Sequence, residues 1–147
     1  MANTINEIII IYSREFISDR SFVKNSSDAY RYFFKSWNKE TIELFEEFKI
    51  ILLNNASEIL GIYTVSKGGV SSTVVEIKHI MFIALKTNSS SIILAHNHPS
   101  GNLKPSSADL KLTERINDAC KIMDINLTDH IILGRESYCS FKDDGYL

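Results

Sequence analysis

The apolar run Ile92-Ile93-Leu94-Ala95 ends in His96-Asn97-His98 and is stopped by Pro99-Ser100-Gly101, and this succession constrains the fold more than any other segment of the chain. A strand through the run places the two histidines two positions apart, so both imidazoles project from one face at the strand's end. Pro99 removes a backbone donor and ends the ladder. Strand ends are where α/β sheets gather their ligands. Eleven residues after His98, Asp109 adds a carboxylate close behind Pro105-Ser106-Ser107-Ala108. Two imidazoles and a carboxylate without paired cysteines suit a catalytic zinc, which takes three protein ligands and keeps a fourth position for water.

The rest of the chain supplies a scaffold. Four consecutive isoleucines within residues 7–12 read as a short strand, and the polar residues 13–25 read as a mobile arm. Ser26 or Ser27 is expected to cap a helix carrying Tyr30, Phe33, Phe34 and Trp37 at helical spacing. Residues 48–53 and 59–65, separated by Asn54-Asn55-Ala56-Ser57, read as a hairpin. From Thr73, the positions Ile77, Ile80, Met81, Ala84 and Leu85 mark a helix, giving a strand–helix–strand crossover into the Ile92 run. A further helix over residues 106–123 buries Leu112, Ile116, Ala119, Cys120 and Met123, with Asp109 on the same stripe one turn earlier. Residues 131–133 and 138–141 form a second hairpin.

At 147 residues and 44% hydrophobic content, one domain with a single core is expected. A net charge of −2 and a pI near 6.1 provide no basic face for nucleic acid. Cys120 and Cys139 have no paired spacing and read as packing residues of a reducing compartment. With neither a signal-like N-terminus nor a run of roughly 20 apolar residues, a cytoplasmic protein that does not engage membranes is expected.

Each candidate ligand also has a structural reading. One strand-end histidine would ordinarily be a hydrogen-bonded polar residue, whereas a pair beside a glycine-containing loop favours metal. Ser106-x-x-Asp109 is close to the capping box of an ordinary helix. An inward carboxylate near two imidazoles, however, is costly without a compensating cation. Ser106 can cap the helix, and the sequence permits it a second role on an oxyanion. A general base must come from elsewhere, because HExxH is absent. Glu46 and Glu47 are the candidates, and spacing alone does not choose between them. Asp129-His130 reads as either polar residues at a strand start or a pair behind the ligands, with the strand-start reading ahead. His79 reads as a packed or rim residue.

The pattern HxHPSGNxxPSxxD resembles the JAMM signature of the JAB/MPN superfamily in its bacterial RadC-like form. Residues 46–55, 69–85, 109–125, Asp129-His130-Ile131-Ile132 and Ser140-Phe141 resemble it too, so the likeness covers residues 26–147, with residues 1–25 as an N-terminal strand and arm. The resemblance implies a mixed β-sheet flanked by helices in an α/β fold, and Zn2+ held by His96, His98 and Asp109. It places the family's upstream glutamate on Glu46 and its serine on Ser106, the latter steadying an oxyanion. The implied activity is hydrolysis of peptide or isopeptide amide bonds by a metal-activated water, in the manner of a JAMM-type metallopeptidase, on a protein or peptide substrate.

Two other functions compete with that one. Longer RadC-like proteins carry a helix-hairpin-helix region where residues 1–25 stand here, which lowers the expectation of a DNA-repair accessory. A non-catalytic interaction module would use the aromatic helix to hold a partner, and the complete set of motif residues argues against it. A two-metal nuclease would need more clustered carboxylates. Deaminase signatures are absent.

Overall fold

The computed structural model describes residues 8–15, 19–69 and 74–147. β1, Glu47–Leu53, is buried along its whole length and pairs antiparallel with β2 (Ile59–Lys67) on one side and with the central strand β3 (Ser91–Asn97) on the other. β4 (Asn126–Leu133) lies parallel to β3, and β5 (Tyr138–Ser140) closes the far edge antiparallel to β4. The sheet order is therefore β2-β1-β3-β4-β5. Both β2 and β3 run against β1, so they are parallel to each other and are joined through a helix, α2 (Ile77–Lys86). The β3 to β4 crossover uses α3, Ser107–Ile122. This is the mixed sheet flanked by helices that the resemblance implies.

Strand alternation divides the core in two. Phe48, Ile50, Leu52, Ile92 and Leu94 face Ile80, Met81 and Ala84 of α2 and Ile116 and Cys120 of α3. Ile51, Leu53, Ile93, Ala95, Ile131 and Leu133 face Ala29, Phe33 and Trp37 of the remaining helix, α1 (Ser26–Ser36). Among the described residues, three helices thus cover the two faces of one sheet. The even-numbered face of β3, continued past its end, carries His96 and His98.

Several local expectations are corrected. The cap of α1 is Asn25, whose side chain accepts the Asp28 N–H at 2.8 Å; the Ser26 hydroxyl instead meets Tyr138 and Asp143. Within the four-isoleucine stretch, residues 8–12 form no strand and stay exposed, since β-propensity without a partner strand satisfies no backbone group; Glu7 lies outside the described residues. The expected arm is tied down at its end. Phe22 bridges to Glu58, Val23 N–H donates to the Ser57 carbonyl at 3.0 Å, and Ile59 N–H donates to the Ser21 carbonyl at 2.8 Å. Arg14 adds a 2.6 Å ion pair to the buried Glu58 carboxylate. Leu85 and Met123, expected inward, are 52% and 44% exposed because each sits at the outer end of its helix stripe. α2 starts at Ile77 behind an extended Glu76, later than the start expected from Thr73, which itself lies outside the described residues.

Candidate metal centre

His96 is the penultimate residue of β3, opposite Phe48 on β1 and beside Ile132 on β4. Its ring lies parallel to Phe48, centroids 6.0 Å apart, and it is 1% exposed. His98 follows just beyond the strand. There the chain turns: Gly101, at φ 76°, donates its N–H to the His98 carbonyl at 2.8 Å, a left-handed conformation that glycine adopts at least cost. The turn brings the Asn102 carbonyl within 2.5 Å of His98 Nδ1, which donates to it.

Asp109 arrives from α3. Ser106 caps that helix, its hydroxyl accepting the Asp109 N–H at 3.1 Å while the Asp109 carboxylate accepts the Ser106 N–H at 2.7 Å. The Ser106 hydroxyl also donates to Asp109 Oδ2 at 2.7 Å. The capping reading of Ser106 is therefore borne out in geometry, and the same box aims Asp109 at the histidines. Asp109 Oδ1 lies 3.3 Å from His96 Nε2, Oδ2 lies 3.4 Å from His98 Nε2, and the two Nε2 atoms are 3.0 Å apart. One atom from each of the three residues falls within a 4.8 Å cluster, a group that could hold a metal ion.

The electrostatics agree with that grouping. Burial pushes the Asp109 carboxyl up, but hydrogen bonds from His96 and His98 and the His96 charge outweigh it and hold the group well below the usual carboxylate range. His98 is raised, first by its bond to Asp109, against burial, with the Asn102 carbonyl and the charges of Asp109 and Glu46 adding. Two imidazole nitrogens and an anionic carboxylate crowded this closely fit a dication, which would replace proton sharing as the source of compensation.

The two adjacent glutamates part company at the start of β1. Glu47 is buried on the α1 side, 3.7 Å from Lys49 Nζ and 3.5 Å from Lys67 Nζ. Lys49 is itself held by the Ser36 carbonyl at 2.7 Å and lies over the Trp37 ring. Glu46 falls on the alternate side and acts on His98 through its charge. Asn97, between the two histidines, fixes this arrangement. Its Oδ1 accepts the Glu47 N–H at 2.8 Å, and its Nδ2 donates to the carbonyls of Ile42 at 2.6 Å and Phe45 at 2.8 Å. The backbone on either side of Glu46 is thereby pinned to the end of β3, between the two histidines.

Behind His96 lies His130, whose strand-start reading fails. It is in the interior of β4, fully buried, with its Nε2 2.7 Å from His96 Nδ1 and its Nδ1 2.7 Å from Thr113 Oγ1. Burial drives its pKa well below the ordinary histidine value, so the ring is neutral. Asp129 turns the other way, accepting from the Ser140 hydroxyl at 2.7 Å and from the Lys142 N–H at 3.0 Å. Thr113 and Asn97 escape a reading from sequence. A threonine inside a helix and the middle residue of HxH carry no local signal; only the antiparallel register and the α3 crossover give them partners.

An open cleft of about 300 Å³ adjoins His98, lined by Ile42, Leu103, Leu133, Gly134 and Arg135 among others. A hollow of about 390 Å³ near the N-terminus of α1 lies at the opposite end of the strands, away from the three-residue group. His79 bonds the Tyr63 hydroxyl at 3.1 Å, as a rim residue would. Burial pushes the Cys120 thiol to about 11, and burial with the nearby Asp144 pushes Cys139 to about 12, so both thiols stay protonated packing groups.

The five-stranded mixed sheet and three helices of the described residues are consistent with the α/β class of JAB/MPN domains. The family model of the RadC-like JAB domain matches residues 23–146, and the chain belongs to that family. A UPF0758 protein of Porphyromonas gingivalis is 43% identical over 103 residues, covering 69% of this chain and 45% of the relative. UPF0758 proteins of Flavobacterium johnsoniae and Listeria innocua are 39% and 41% identical over 100 and 101 residues, covering 68% and 69% of this chain. The matched stretch spans less than half the length of each of these relatives, at 44% and 45% for the last two. No helix among the described residues is long and apolar enough to cross a membrane.

Proposed function

We propose that this domain is a zinc-dependent hydrolase of peptide or isopeptide amide bonds. The observation that carries this reading is the convergence of His96 Nε2, His98 Nε2 and a carboxylate oxygen of Asp109, with Glu46 on the same side of the sheet. His96, His98 and Asp109 hold the ion; when bound, zinc supplies a Lewis acid and a water acidified towards about pH 7. Glu46 takes the proton from the attacking water at its carboxylate and returns it to the departing amine. Ser106, on the exposed lip of α3, turns its hydroxyl donor from Asp109 to the developing oxyanion. The cleft beside His98 receives the acyl side of a protein or peptide substrate.

The test is metal analysis of protein purified without added zinc, joined to hydrolysis of a peptide and isopeptide library by wild type and Glu46→Gln. One zinc per chain, with cleavage lost in Glu46→Gln, is expected. Absence of metal binding in wild type overturns the reading. Salt-sensitive DNA binding in place of amide hydrolysis would move the protein to repair.

A further inference from the structure

The structure assigns to His130 and Thr113 a positioning role: together they fix which nitrogen of His96 carries its proton, and so leave Nε2 free to take a metal. This rests on the reading of His96 as a ligand and adds the device that makes it one.

The direction of each bond follows from the number of protons available. The Thr113 hydroxyl has one proton and gives it to the Asp109 carbonyl at 2.6 Å, the ordinary helix i to i−4 back-bond. Its oxygen, 2.7 Å from His130 Nδ1, must then accept. His130 is fully buried and neutral, with one ring proton. That proton sits on Nδ1, facing Thr113. His130 Nε2 is left as a lone pair and accepts from His96 Nδ1 at 2.7 Å. With Nδ1 committed as the donor to His130, Nε2 is the His96 nitrogen left facing His98 and Asp109 and available to a metal. The opposite assignment, with the proton on His130 Nε2, would require the single Thr113 proton to leave the Asp109 carbonyl for His130 Nδ1.

The chain of bonds begins on the backbone of Asp109 and ends on the ring of His96, linking two proposed ligands through the interior. The rings cannot tilt out of it. His130 lies against Phe141, centroids 4.5 Å apart, and edge-on to Phe48 at 5.6 Å, while Phe48 also covers His96. His98 Nδ1 is likewise committed as a donor, to the Asn102 carbonyl, and its Nε2 faces the same cluster. The series is the imidazole-backed variant of the partner that metal-binding histidines usually find in a carboxylate or carbonyl.

Ring 15N spectra of the full chain, with and without zinc, read the tautomer directly, and chelator competition reads zinc affinity. The expected wild-type result is a neutral His130 protonated on Nδ1 in both states. Thr113→Val, which keeps shape and removes the acceptor, is expected to lower zinc affinity about 10-fold or more and to move the His130 proton towards Nε2, whereas Thr113→Ser retains both readouts. His130→Gln, which can still accept near the position of Nε2, should bind zinc better than His130→Leu. A wild-type His130 protonated on Nε2, or zinc affinity in Thr113→Val within about twofold of wild type, overturns the inference. Failure of wild type to bind zinc would instead strike the proposed function. The wild-type tautomer is measured whether or not any variant folds.

Discussion

Glu46 and Glu47, neighbours in the chain, lie on opposite sides of the sheet: the charge of Glu46 acts on His98, whereas the carboxylate of Glu47 is buried 3.7 Å from Lys49 Nζ. Their neutral amides should therefore fail differently. Glu46→Gln is expected to lower amide hydrolysis by about 10²–10⁴ with little change in stability. Glu47→Gln leaves Lys49 without its buried anion and should cost about 1–3 kcal/mol in urea denaturation. Equal loss of stability in both variants would contradict the division.

Asn97 gives a second separation. Asn97→Ala removes the partner of one N–H and two carbonyls around Glu46, all enclosed near a 0% exposed side chain. A destabilisation of about 2–3 kcal/mol is expected, together with a fall in turnover larger than the fall in zinc affinity. Zinc stoichiometry and rate measured on one preparation check this. Turnover that survives while metal is lost would contradict it.

Phe141 seats the ring of His130 and belongs to a small cluster with Ile132 and Cys139. Phe141→Ala opens a cavity directly behind that ring, and a loss of about 3–5 kcal/mol is expected by chemical denaturation. Phe141→Leu should recover most of it.

The stability of the metal-free protein should peak near pH 6.5. Its bond to Asp109 raises His98, so that contribution is present below about 6.5 and is lost as pH rises through the folded value. Burial lowers His130, so the unfolded chain takes up that proton first and stability falls as pH drops below about 6.5. Urea midpoints in chelator across about pH 5–8 check both limbs. A profile rising steadily in one direction would refute the pair, and His130→Leu should flatten the acid limb.

Part of this protein was legible in sequence because its signals are local. The spacing of His96 and His98, the stop at Pro99 and the box at Ser106 and Asp109 each act within a few residues of themselves. The hairpin over Asn54 is local too: Asn54 Oδ1 accepts the N–H groups of Ala56 at 2.9 Å and Glu58 at 3.0 Å. Residues 8–12 misled because isoleucine propensity says nothing about whether a neighbouring strand is present. Glu46 could not be separated from Glu47 without knowing where β1 begins its alternation. His130 and Thr113 met His96 only through a parallel pairing and a helix crossing, neither of which has a local signature.

β3 is flanked by partner strands on both sides, so His96 rides on backbone that opens only when the centre of the sheet opens. His98 and Asp109 sit one step outward, on a glycine turn and the first turn of a helix, with side chains 18% and 16% exposed. The cluster is therefore stiff at one end and yielding at the other. An ion taken up by this cluster would enter and leave on the side of His98 and Asp109, the two members that reach solvent.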